Sequence, residues 1–143
     1  MKRIRIVIYG LLLILCLSGC ASEADKNSCE VDVLAKTTKS WNDAILAEYP
    51  EGQPEITILR ITIAPGAELP IHEHPVINAG VLLKGELTVI TENDKVLHLK
   101  AGEPIVEVVD TWHYGKNEGK GEAELIIFYA GTTDLPITIK KEN

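Results

Sequence analysis

From Glu55 onward the chain is a succession of short aliphatic and β-branched runs broken by turn residues, and few folds accept that pattern. Ile56, Ile58, Ile61 and Ile63 share one run with Thr57 and Thr62. Further runs cover Ile77 to Leu83, Glu86 to Thr91, Lys95 to Leu99, Ile105 to Val109 and Glu124 to Ala130. Between them stand Pro65-Gly66, Lys84-Gly85, Asn93-Asp94, Ala101-Gly102, Asp110-Thr111 and Gly119 to Gly121. β-Branched side chains pack well on a pleated surface, and Gly, Asn and Asp supply the backbone angles of tight turns. Short strands at regular spacing predict an all-β domain, either a sandwich or a small barrel. No stretch after residue 50 keeps a helical period. Upstream, Val31 to Leu34 alternates weakly, and Ser40 to Tyr49 reads as a strand with a turn or as a short helix.

The first 20 residues follow other rules. Met1 to Arg5 is basic, and Ile6 to Leu17 is an apolar run of twelve. A membrane-spanning helix takes about 20 apolar residues, so this run is short for a span and suited to the core of a signal peptide. Leu17-Ser18-Gly19-Cys20 follows at once and resembles a bacterial lipobox. That resemblance implies cleavage before Cys20 and lipidation of its thiol; an uncleaved anchor or a plain signal peptide are the alternatives. The expected organisation is a signal peptide over 1–19, a flexible tether over 20–30 and a single domain over 31–143. The membrane would be touched through the lipid alone. No twin-Arg pair is present, so export through the general secretory route is expected, with any metal loaded outside the cytoplasm. The expected location is the cell envelope, on the periplasmic side of a membrane. In a cell with two membranes, Ala21 after the Cys fits sorting to the outer one.

Cysteine and charge agree with this organisation. Cys16 leaves with the signal and Cys20 is acylated, so Cys29 stays as a lone thiol that can form no internal disulfide. Cys29 sits in the polar stretch Ser22 to Glu30 with no histidine near it, and is read as tether. Lys2, Arg3 and Arg5 also leave, and 11 basic side chains then face 21 acidic ones, a net charge of −10. Such a surface repels phosphate backbones, which argues against nucleic acid as a partner.

Three of the four histidines carry the chemistry. In a strand, residues i and i+2 point to the same face, so His72 and His74 present both imidazoles to one side and Glu73 points away. A third histidine from another strand would complete a metal site, and His113 is the candidate. Alone, a His-x-His pair is a weak signal. Its wider spacing adds to it. Gly66 precedes His72 by six residues and Gly85 follows Asn78 by seven; Gly102 precedes His113 by eleven and Asn117 follows it by four. This resembles the two signature motifs of the cupin superfamily, a small antiparallel jelly-roll barrel. The resemblance covers Thr57 to Ala130. It departs from the family pattern at Asn78, where Glu is usual, at Val108 for Pro and at Asp110 for Gly.

The resemblance implies one divalent metal ion (Fe, Mn, Zn, Ni or Cu) held inside the barrel by His72, His74 and His113, with Asn78 at the fourth position. Asn offers a neutral carbonyl oxygen, a weaker ligand than carboxylate. Glu107 interrupts the apolar run Ile105 to Val109; it either turns inward as a substitute carboxylate or faces water from an edge strand, and the edge strand is the expectation. His98 is expected to face solvent. Trp41 and Tyr49 are expected to cap the barrel, and Trp112, Tyr114, Phe128 and Tyr129 to lie in its core or line a ligand cavity. A small organic molecule is the expected ligand or substrate, and homodimerisation is expected from the family. The resemblance implies oxygenase or isomerase chemistry, or a non-catalytic binder of a metabolite or metal. A 2-oxoglutarate oxygenase is set aside, because its His-x-Asp/Glu pattern needs the acid that strand parity turns away.

Overall fold

The computed structural model describes residues 29–142. The lipobox-like Leu17–Cys20 and the segment from Ala21 to Ser28 lie outside them. All the strands belong to one unit, Asp32–Asn143. In chain order they are β1 (Pro54–Ile63), β2 (His72–Glu73), β3 (Ile77–Lys84), β4 (Glu86–Thr91), β5 (Val96–Lys100), β6 (Pro104–Val106), β7 (His113–Lys116), β8 (Ala123–Thr132) and β9 (Ile139–Lys140). One sheet has the order β1-β8-β3-β6 and the other β5-β4-β7-β2-β9, with antiparallel pairing throughout. Apart from the β4–β5 hairpin, successive strands alternate between the two sheets, as in a jelly roll, so the all-β expectation holds.

Alternation sets the inner face. On β1, Leu59, Ile61 and Ile63 turn inward, and Ile56, Ile58 and Arg60 turn out. On β8 it is Leu125, Ile127 and Tyr129 that face in, while Phe128 faces out. The opposite sheet contributes Leu87, Val89 and Leu99. Gly80 on β3 sits where a Cβ would lie 2.2 Å from the Ile126 carbonyl oxygen, so only glycine lets β3 and β8 approach this closely.

Several local expectations are corrected. Ser40 to Tyr49 holds no helix; Lys39 and Ile45 form an isolated antiparallel bridge around a turn. Tyr49 does not cap the barrel. It is 75% exposed, whereas Trp41 packs against the core. The run Ile105 to Val109 shortens to β6, which ends at Val106. β2, β7 and β9 had no clear signal: two are only two residues long, and β7 reads His-Tyr-Gly-Lys with no β-branched residue.

Candidate metal centre

β2 and β7 pair antiparallel with His72 opposite His113, which puts both side chains on the inner face of their sheet. His74 follows β2 directly and turns to the same side. The ring centroids lie 4.5 Å apart for His72 and His113, 4.9 Å for His72 and His74, and 5.1 Å for His74 and His113. One ring nitrogen from each falls within 4.8 Å of the other two.

The outer nitrogen of each ring is committed to the backbone. His72 Nδ1–H donates to the Pro70 carbonyl at 2.8 Å, His113 Nδ1–H to the Thr111 carbonyl at 2.8 Å, and His74 Nδ1–H to the Ile137 carbonyl at 2.7 Å. A carbonyl oxygen can only accept, so all three protons sit on Nδ1 and all three Nε2 atoms carry a free lone pair. Burial, the leading cause in each case, pushes all three imidazoles below the usual histidine range, His74 to about 4. The rings are therefore neutral at pH 7, the state in which imidazole binds a metal ion.

Around them lies a cavity of about 50 Å³, walled by aliphatic residues of both sheets and by Tyr129 and Glu107. Burial pushes the Tyr129 hydroxyl up to about 12. Glu107 corrects an expectation. β6 is indeed an edge strand, but Glu107 does not face water: it is 8% exposed and lines the cavity. Its backbone N–H bonds the Asn78 carbonyl at 3.0 Å, which keeps the chain against β3 after β6 ends. Glu107 shares the parity of inward-facing Ile105; that signal was present in the sequence, but an all-apolar run does not say which parity is inward. Burial raises its carboxyl to about 7, partly offset by nearby His72.

Asn78 is fully buried on β3, opposite Tyr129, and does not line the cavity. Its amide nitrogen reaches the Val76 carbonyl at 3.4 Å, and its Oδ1 has no partner. Glu107 Oε2 and His113 Nε2 are also buried without partners, 3.7 Å apart. Orphaned buried polar atoms are rare, and a cation between them would satisfy both. The donor set therefore fits a divalent metal ion. Glu73 does not line the cavity, and His98 is exposed. Of the four aromatics, Tyr129 alone lines the cavity; Phe128 is 41% exposed, and Trp112 and Tyr114 are half-buried elsewhere.

A family model described as a cupin domain matches residues 59–129. The chain belongs to the cupin superfamily. This cupin is 30% identical over 114 residues to the oxalate oxidase GF-3.8 of Triticum aestivum, an alignment covering 71% of the chain and 51% of that protein. The chain thus spans about half the length of the curated relative it matches. Its fold resembles that of an uncharacterised double-stranded β-helix protein of Klebsiella pneumoniae, with a TM-score of 0.53 and 21% identity, covering 67% of this cupin and 90% of that chain. It also resembles the oxalate decarboxylase of Bacillus subtilis, a protein with Mn(II) centres, with a TM-score of 0.51 and 20% identity, covering 59% of this cupin and 23% of that chain.

The motif departures have local explanations. Asp110 stands at the usual glycine and adopts φ 47°, a left-handed conformation that Asp tolerates better than most residues, with its N–H on the His74 carbonyl at 3.0 Å. The Asn117 amide donates to the Ile63 and Gly121 carbonyls at 2.9 Å each and accepts from the Gly119 N–H at 3.0 Å. This motif residue ties the end of β1 to the turn before β8.

Proposed function

We propose that this cupin holds one divalent metal ion through His72, His74 and His113 and uses it on a small, compact organic molecule. One observation carries the reading: three backbone carbonyls fix three imidazole tautomers, so that three unprotonated Nε2 atoms meet in one buried cavity. When bound, such an ion supplies Lewis-acid or redox chemistry, the basis of an oxygenase or isomerase reading. The small volume and the aliphatic walls limit a ligand to a few atoms beyond the ion itself. Among the described residues neither Lys nor Arg lines the cavity, so charge compensation for an anionic ligand there would come from the ion. The relatives that act on oxalate make it and other short carboxylates the first compounds to test. Of Fe, Mn, Zn, Ni and Cu, the Mn(II) centres of one of those relatives make Mn(II) the first ion to load.

The test is metal content and affinity of the full-length chain against His74→Ala. Wild type is expected to retain about one ion per chain, and the variant to lose affinity by about 100-fold or more. Equal, negligible metal in both would end the reading. A second reading is a non-catalytic binder. It is favoured by the small size of the cavity, about 50 Å³, which leaves little room for a substrate beside the ion. A ligand recovered unchanged after long incubation with metal-loaded protein would select it.

The same proposal places the protein at the cell envelope, lipidated at Cys20 and exported. Its support is the order of basic start, apolar run and lipobox. A homodimer is also proposed, built on the outer face of β1 and β8, where Ile56 and Ile58 are 54% and 62% exposed beside Phe128.

A further inference from the structure

We infer that Glu107 supplies the carboxylate of the metal centre, moved from the β3 position held by Asn78 to the chain segment that pairs with it after β6. The inference rests on the three-histidine reading and adds a ligand to it. Its first ground is geometric. Glu107 Oε2 and His113 Nε2 are 3.7 Å apart, a spacing two ligands of one ion can have, and neither has a hydrogen-bond partner among the described residues. Both are acceptors when the imidazole proton sits on Nδ1 and the carboxyl is ionised. Two acceptor atoms facing each other repel, and a cation between them turns that repulsion into attraction.

The second ground is charge. Three neutral imidazoles leave a divalent ion uncompensated among aliphatic walls, and an anion inside the barrel removes that cost. Among the described residues, Glu107 is the one acidic side chain that lines the cavity. Asn78 is neutral and does not reach the cavity wall. The third ground is the backbone. Glu107 N–H on the Asn78 carbonyl continues the β3–β6 register by one pair, so the usual carboxylate position and the new one lie directly opposite each other on neighbouring chain segments.

The experiment uses the full-length chain, stripped of metal and titrated with Zn(II) and Co(II) in competition with a chromophoric chelator. Wild type is compared with Glu107→Gln, Asn78→Ala and His74→Ala. The expected result is a loss of affinity of at least about tenfold for Glu107→Gln, with an altered Co(II) absorption spectrum, and little change for Asn78→Ala. Wild-type affinity and spectrum in Glu107→Gln, with binding lost in His74→Ala, overturn the inference and leave the three-histidine site standing. Wild-type affinity in both variants overturns the site as well. Should the Gln variant not fold, Glu107→Asp withdraws the carboxylate by one methylene. A weakened affinity and shifted Co(II) spectrum are then expected, and unchanged values overturn the inference.

Discussion

Glu107 and His74 shape the metal-free protein in opposite senses. The Glu107 carboxyl titrates at about 7 when folded and 4.5 when unfolded, because burial penalises its charge. Between those values the folded chain binds more protons than the unfolded one. The stability is thus complete below about pH 4.5 and is lost as pH rises through 7. His74, at about 4 folded and 6.5 unfolded, does the reverse: its contribution is complete above 6.5 and is lost as pH falls toward 4. In the metal-free state, Glu107→Gln should therefore be more stable than wild type at pH 8, by about 3 kcal/mol, with the gain fading toward pH 4.5. Urea unfolding across that range measures it, and a gain independent of pH would contradict the assignment. A residue whose removal stabilises the empty fold while weakening metal binding is what a functional site built against stability looks like.

At the scale of elements, the site depends on short strands that earn little from their own propensity. β2 has two residues, yet its register with β7 decides that His72 meets His113. What holds such strands is the packing around them and a few buried polar ties. Asn117 is the clearest tie, with one side chain serving the Ile63 carbonyl, the Gly121 carbonyl and the Gly119 N–H. Asn117→Ala leaves those groups without partners in a fully buried place. It should cost about 2–4 kcal/mol in chemical denaturation while leaving one ion bound per chain. A cost near zero would mean that water replaces the amide. The same motif position was readable from spacing, but its work was not: the structure shows a strap between β1 and the turn before β8.

The whole molecule adds surfaces that the site does not use. The outer face of β1 and β8 carries an apolar patch of Ile56, Ile58 and Phe128, flanked by the Arg60–Glu124 ion pair. If a second copy covers it, Ile58→Asp should convert the protein from dimer to monomer in analytical ultracentrifugation while metal affinity stays at the wild-type value. A monomeric wild type would remove the dimer from the proposal. The N-terminal segment makes a separate prediction. In a bacterial host, Cys20→Ala should abolish incorporation of labelled palmitate and leave the protein out of the membrane fraction as the lipid-anchored form; labelling that persists in the variant would rule out Cys20 as the lipidated residue.

The all-β class, six of the strands and, through the motif spacings, the jelly-roll resemblance and the candidate histidines were legible in the amino-acid sequence. β-Branched runs, turn residues and fixed motif spacings are local properties, and each acts within a few residues of itself. The direction of Glu107, the idle oxygen of Asn78, the outward turn of Phe128 and the backbone carbonyls that set three imidazole tautomers were decided by the tertiary structure. Each depends on which face of a strand is covered and on chain segments as far apart as His74 and Ile137, and no local pattern encodes that pairing.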